Sequence, residues 1–340
     1  MRHEARGDMI KVWLYAAASV ALGAWLAPVL HNAGKALAEV SAGKTTNGLI
    51  EWLALRCGAA EFAEFQVAGM VLAAAALFLP WMEWIHAKRG EVSGTGPWKF
   101  RLPGGARTTD LGQALKRNLE GPWHACSGFM VVTGLVLSLG VALVPAGYFT
   151  MRHPGAAMIP LVASTLAWAL AGAVLMEIAF RGIAMGIFLR AMRPAAALGM
   201  SAVFFAVLLS LVPDRDALAG DPEDSAAGFR LLGEMALRFA DWRHVFGSFA
   251  PLLALGAVLA FARWRTASLW LPVGLHTGWR FSKGLLDELS APVSGNAGGE
   301  TLLNGVLLQQ GIVPLAAIVA AGMLARHFLG DQHDESALRP

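Results

Sequence analysis

Charged residues are scarce in this chain. Of its 340 residues 15% are charged and 56% are hydrophobic, whereas a soluble domain has about 25% charged residues. Uncharged runs of about 18 residues or more recur, and such runs are long enough to cross a bilayer. The runs are continuous and rich in Ala, Leu and Gly instead of alternating in polarity, which favours helices over a barrel. The composition therefore predicts an all-α, polytopic membrane protein.

Cysteine is also rare, and its pattern carries no chemistry. Cys57 and Cys126 fit neither a metal site nor a disulfide framework, so we interpret both as structural. The sequence has no HExxH motif, and we predict no metal and no other cofactor. The net charge of +3 does not indicate a nucleic-acid partner, because the basic residues stand in short segments between apolar runs.

The apolar segments predict about eight transmembrane spans. The first lacks a signal-peptide cleavage site followed by a soluble domain, so we expect it to remain as a helix. The predicted spans cover residues 12–30, 66–82, 126–150, a part of 154–189, 194–213, 245–262, 266–286 and 302–325.

The loop charges predict the orientation of these spans. Basic residues collect at the N-terminus and after the second, fourth, sixth and eighth spans, whereas the segment 214–243 is acidic on balance. By the positive-inside rule, both termini lie in the cytoplasm and the protein lies in the cytoplasmic (inner) membrane. We divide the chain into a two-span region with a basic cytoplasmic loop (1–123), a membrane core (124–286), and a final span with a tail (287–340).

The fourth apolar segment is too long for one simple crossing. If Arg190 and Arg193 mark its cytoplasmic end, about 20 residues reach back to Thr165 or Trp168, and Glu177 lies near the bilayer centre. We favour this interpretation. In the alternative, the span covers 156–176 and an interfacial helix follows it.

Polar side chains interrupt the fourth and seventh spans at helical spacing. Glu177 and Arg181 are four residues apart, as are His276 and Arg280, so each pair shares one helix face. Charges inside a membrane are costly and mark functional sites, and a buried imidazole needs a partner. We expect Glu177 to be that partner, in a polar cluster between the two helices. A further hypothesis pairs Arg280 with Glu177, which would neutralise the carboxylate.

The order of several motifs resembles a known family. The segments 176–182, 205–209 and 276–280 are similar in order and spacing to the patterns EExxxRG, FxxxH, and HxxxN or HxxxD, with one position altered in each. Together with the segments 246–249 and 265–270, they make the chain similar to the CPBP family, named for CAAX-protein proteases and bacteriocin-processing enzymes. The resemblance covers roughly residues 156–284 and implies a CPBP-like core formed by the fourth to seventh spans.

The resemblance implies an intramembrane endopeptidase. In the family, the first Glu of the pair is thought to activate a water molecule with the help of the two His residues, and the Asn or Asp helps to bind the oxyanion or to orient the site. A carboxylate in an apolar cavity suits the role of a general base. The implied partners are membrane lipid and a membrane-embedded or prenylated protein or peptide substrate.

Three family positions are altered in this chain. Met176 stands where the first Glu is expected, Leu209 where the FxxxH histidine is expected, and Arg280 where the Asn is expected. Because losing one member of a catalytic set commonly removes most of the rate, we predict a catalytically impaired, CAAX-protease-like membrane protein.

Two alternatives stay open. In the first, the protein is an active glutamate-dependent peptidase. The catalytic candidates are then Glu177, Arg181, His276 and Arg280, with Glu177 turned by a local shift toward His276 and Arg280 supplying positive charge. In the second, the intramembrane charges belong to a small transporter or a membrane scaffold.

Overall fold

The computed structural model describes residues 2–42, 44, 47–86, 121–145, 149–152, 155–214, 217, 220–266, 268–292 and 312–328. These residues form ten helices and one pair of three-residue strands, β1 (Phe149–Met151) and β2 (Ser290–Pro292), which pair antiparallel. In chain order the helices are α1 (Arg2–Ser41), α2 (Gly48–Ala59), α3 (Phe62–His86), α4 (Gly121–Leu143), α5 (Met158–Ala191), α6 (Pro194–Ser210), α7 (Ala227–Leu237), α8 (Trp242–Thr266), α9 (Trp270–Leu289) and α10 (Ile312–Phe328).

The predicted all-α membrane architecture is confirmed. Five helices within the described residues are long and apolar enough to cross a membrane, namely Gly7–Ser41, Phe62–Ile85, α4, α5 and α8. Two shorter apolar helices, α6 and Leu315–Leu324, lie where the fifth and eighth spans are predicted. The seventh predicted span corresponds to α9, whose second half is polar. The count of eight spans stays a prediction, and the basic loop between α3 and α4 lies outside the described residues.

Two predicted boundaries are wrong. The third span does not reach residue 150, because α4 ends at Leu143 and residues 149–151 form strand β1. The fourth segment is longer than either predicted span, because α5 continues without a break for 34 residues, or roughly 50 Å at 1.5 Å per residue. Pro160 does not interrupt α5, because it lies in the first turn, where its missing N–H leaves no helical bond unmade. The structure also has α2 and α7 in segments predicted as loops.

The contacts divide the chain into two compact units. The first comprises the described residues of 1–93 and 208–241, and therefore α1, α2, α3 and α7. Helices α1 and α3 pack closely, since a side chain on Gly23 would meet the Met70 backbone at 2.5 Å. The Tyr15 hydroxyl donates to the Ala74 carbonyl at 2.6 Å, which adds a polar contact between the same two helices.

The second unit holds the helical core that carries the polar residues, and it is built from α4, α5, most of α6, α8, α9 and α10. Helix α9 is central, because it packs against α4 on one side and against α5 on the other. It runs antiparallel to α5: Gly284 near its end meets Thr165 near the start of α5. The strand pair connects the start of α5 to the end of α9, since β1 precedes α5 and β2 follows α9.

Candidate functional site

Helix α5 changes its winding immediately after Glu177. Residues Ile178–Ala184 form a π-helical segment, in which the Met185 N–H donates to the Phe180 carbonyl five residues back. Such a segment inserts an extra residue into the turn and is frequent at functional sites. The segment contains Arg181, so the local winding sets how Glu177 and Arg181 face the neighbouring helices.

The Glu177 carboxylate is the centre of a buried polar cluster. Its exposed fraction is 0%, and those of Arg181 and His276 are 1% and 2%. One oxygen, Oε1, accepts a hydrogen bond from Arg181 Nη1 at 3.1 Å and lies 2.7 Å from His276 Nδ1. A carboxylate only accepts, so the His276 ring donates from Nδ1. The other oxygen, Oε2, is buried without a hydrogen-bond partner.

This arrangement confirms the expected contact between the fourth and seventh spans. Glu177 and His276 approach as a hydrogen-bonded pair, on α5 and α9 respectively. Both side chains are buried, with exposed fractions of 0% and 2%. The pair therefore has the geometry of a helix–helix link, and Arg181 contacts the same carboxylate oxygen.

Arg181 contacts its own helix and two neighbouring helices, α8 and α6. Beside its contact with Glu177, Nη2 donates to the Gly256 carbonyl of α8 at 3.2 Å. Gly256 also lets α8 approach α6, because an added side chain would come within 3.0 Å of the Ala202 backbone. Sequence reasoning missed this acceptor, and the only available signal was a lone glycine in an apolar run, which is typical of close helix packing in membranes.

Phe205 of α6 joins the cation and the imidazole. The Arg181 guanidinium carbon lies 4.2 Å from the centre of its ring, and the His276 ring meets it edge-on at 5.9 Å. A cation above an aromatic face is attracted by the ring quadrupole. From the sequence, Phe205 is only the first residue of the FxxxH-like segment. In the structure its ring contacts both Arg181 and His276.

Replacing Phe205 with leucine should lower the free energy of unfolding by about 1–2 kcal/mol, because the apolar bulk is largely kept but the cation–π attraction is lost. Thermal unfolding in detergent measures the change. Phe188→Leu is the matched control: Phe188 is equally buried and packs edge-on against Phe204, with no cation–π contact among the described residues. An equal loss in both variants would show that the cation contact contributes nothing.

Arg280 does not pair with Glu177, so that hypothesis is wrong. The Glu177 carboxylate is paired with Arg181. The Arg280 side chain instead contacts Met176, whose Sδ accepts a hydrogen bond from Arg280 Nη1 at 3.8 Å. The guanidinium rests on Gly172, where an added side chain would come within 2.7 Å of Nη2. The two altered family positions, Met176 and Arg280, are thus in contact with each other.

The third altered position, Leu209, lies one turn after Phe205 near the end of α6 and is half-buried. It brings no titratable group. Within the described residues, no group of three or more His, Cys, Asp or Glu side chains is arranged to hold a metal ion. The chemistry available to the cluster is therefore that of one carboxylate, one imidazole and two guanidinium groups.

The family assignment follows from a comparison with known protein families. Residues 158–282 match the family of type II CAAX prenyl endopeptidases, described as Rce1-like. This segment is an Rce1-like domain. It includes all four candidate residues, Glu177, Arg181, His276 and Arg280, and it agrees with the resemblance to the CPBP family. No curated protein and no solved structure gives a significant match to the chain.

The Rce1-like domain belongs to a multi-pass membrane protein. It begins with α5 and ends within α9, and it contains two of the five helices that are long and apolar enough to cross a membrane. The chain is thus a CAAX-protease-like membrane protein in which the matched segment carries the buried cluster.

Proposed function

We propose that the Rce1-like domain binds a membrane-embedded or prenylated peptide without hydrolysing it. The observation that carries this proposal is the state of Glu177. Its side chain is fully buried, and a single oxygen accepts from both Arg181 and His276. A general base must reach a water molecule and then take its proton. Both hydrogen bonds at Oε1 come from protein groups, the Arg181 guanidinium at 3.1 Å and the His276 ring at 2.7 Å, so this oxygen is not available to take the proton.

The altered family positions support the same proposal. The thioether of Met176 cannot take a proton, and the side chain of Leu209 cannot assist a water molecule. Arg280 replaces a neutral or acidic residue by a cation, and it lies against Met176 instead of a carboxylate. The Glu177 cluster then has a structural role, because it connects α5 to α8 and to α9. The domain keeps the ability to bind a peptide that resembles a peptidase substrate.

An active peptidase is the second candidate, and one observation favours it. Glu177 Oε2 is buried without a hydrogen-bond partner. A buried polar atom of this kind is usually satisfied by water. Water bound there would be next to the Glu177 carboxylate, so Glu177 would be the base. Arg280, one turn along α9 from His276, would be a candidate source of positive charge for a developing negative charge.

A binding assay with a mass readout tests the proposal. The purified protein is incubated with a farnesylated peptide that ends in a CAAX sequence, and with the same peptide lacking the prenyl group. We expect the farnesylated peptide to bind more tightly, because its apolar chain leaves water, and to be recovered intact. Cleavage by the wild type that is lost in His276→Ala would establish the second candidate. Equal and weak binding of both peptides would contradict the binding role.

The loop charges support a cytoplasmic-membrane location with both termini in the cytoplasm, and we propose this orientation. The observation behind it is the alternation of basic and acidic connecting segments along the sequence. Reporter fusions at the N-terminus and in the segment 214–243 test it, since the two positions should report opposite sides of the membrane.

A further inference from the structure

Arg280 is a cation that has no matching anion among the residues that the structure describes. Its Nη1 donates to a thioether, which is a weak acceptor, and its Nε is buried without a partner. A guanidinium has five N–H donors and suits the two oxygens of a carboxylate or a phosphate. The side chain is half-buried, so the guanidinium is partly removed from solvent and yet can be reached from outside.

No carboxylate of the surrounding helices compensates this charge. In the described residues of α4, α5, α6, α8 and α10, Glu177 is the single acidic residue, and its carboxylate is held by Arg181 and His276. Helix α9 itself has Asp287 and Glu288, but these follow about two turns after Arg280. A cation in apolar surroundings is costly unless it is paired, so the position favours an external anion.

The surface beside Arg280 is that of a lipid-facing helix. Trp168 and Leu175 flank the Gly172 and Met176 positions on α5, and they are 73% and 69% exposed. Tryptophan is enriched at the boundary between hydrocarbon and headgroups, and Trp168 lies one turn from Gly172, on which the guanidinium rests. From Arg280 onward α9 turns polar, with Lys283, Asp287 and Glu288. These features place the guanidinium one turn of α5 from Trp168, within reach of lipid headgroups at the boundary that a tryptophan marks.

We infer that Arg280, seated on Gly172 and Met176, binds the phosphate of an anionic membrane lipid at the edge of the α5–α9 contact. The lipid approaches across the exposed Trp168 and Leu175, and its phosphate accepts from the guanidinium. The lipid is bound by Arg280 and not by Glu177, and the contact requires neither cleavage nor peptide binding. It therefore goes beyond the proposed function.

Titration of the purified full-length chain with palmitoyl-oleoyl-phosphatidylglycerol tests the site. Native mass spectrometry gives the apparent Kd, and palmitoyl-oleoyl-phosphatidylcholine serves as the zwitterionic control. We expect phosphatidylglycerol to bind more tightly, and Arg280→Gln to weaken its binding about tenfold, the loss expected for charge-assisted hydrogen bonds. Arg190→Gln is the matched control, because it removes the same charge from an exposed position near the end of α5. It should change the Kd less than about threefold, as expected for an exposed charge.

Three further variants keep the positive charge of Arg280 and stay informative if Arg280→Gln does not fold. Gly172→Ala introduces a methyl group 2.7 Å from Nη2 and should displace the guanidinium, which weakens binding of phosphatidylglycerol. Met176→Glu places a carboxylate where the thioether now accepts from Nη1, and this internal anion should compete with the lipid. Met176→Leu removes the sulfur alone and should leave the lipid bound.

Several outcomes would overturn the inference. Equal losses in Arg280→Gln and Arg190→Gln would show general attraction to anionic lipid. Displacement of the lipid by millimolar inorganic phosphate, with equal dependence on Arg280, would identify free phosphate as the ligand. Binding of an acetylated peptide with a free C-terminal carboxylate that depends on Arg280, without any preference for phosphatidylglycerol, would identify a peptide as the occupant.

Discussion

Replacing Arg181 with methionine should lower the free energy of unfolding by about 3–5 kcal/mol, the cost of leaving a buried charge without its partner. The substitution removes the guanidinium that compensates Glu177 at 3.1 Å and the hydrogen bond to the Gly256 carbonyl. The buried Glu177 would then depend on His276 alone. Thermal or chemical unfolding of the protein in detergent measures the effect.

The partner substitution separates charge from packing. In Arg181→Met combined with Glu177→Gln, both charges are absent and the bulk is kept, so most of the lost stability should return. A double variant whose loss equals the sum of the two single losses would show that Glu177 and Arg181 do not act as a pair.

Replacing Gly274 with alanine should cost about 3 kcal/mol or more, at or above the upper end of the range for overpacking. The added methyl group would lie 2.1 Å from the Ala125 carbonyl oxygen, and a backbone atom cannot move aside as a side chain can. Helices α4 and α9 would have to separate at a point two residues from His276. The same variant should therefore disturb the His276 contact with Glu177, and unfolding together with histidine NMR measures both effects.

Gly134→Ala is the control for this substitution. Gly134 lies on α4, and an added side chain there would meet nothing within 4 Å. Alanine favours helix more than glycine does, so this variant should be neutral or slightly more stable, by up to about 1 kcal/mol. Equal destabilisation by Gly134→Ala and Gly274→Ala would contradict the account of the α4–α9 contact.

The membrane fold could be predicted because its causes are local. Long uncharged runs identify helices in a bilayer whatever their neighbours are, and the pairs Glu177–Arg181 and His276–Arg280 follow from the helical repeat. The π-helical winding after Glu177 and the strand pair could not be predicted, because both depend on how helices meet. The end of α4 at Leu143 did have a sequence signal, since Pro145 follows it and proline is common just after a helix end.

The residues of the site were easier to predict than the contacts between them. Sequence reasoning brought Glu177 to His276 correctly, but it offered Arg280 as a second partner of the carboxylate. In the structure Arg181 has that place, because the π-helical segment and the Gly256 carbonyl hold its guanidinium beside Glu177. Whether Arg181 or Arg280 contacts Glu177 depends on the contact that Arg181 makes with a third helix, α8. Residue spacing along a single helix cannot predict such a contact.

A paired measurement on Glu177→Gln tests the central claim most directly. Unfolding and cleavage of a farnesylated CAAX peptide are measured on the same purified sample, beside the wild type. We predict a clear loss of stability, because Arg181 loses its counter-charge, with cleavage at background in both proteins. Wild-type cleavage that disappears in Glu177→Gln at unchanged stability would contradict the account, since Glu177 would then be a catalytic base and not a structural counter-charge.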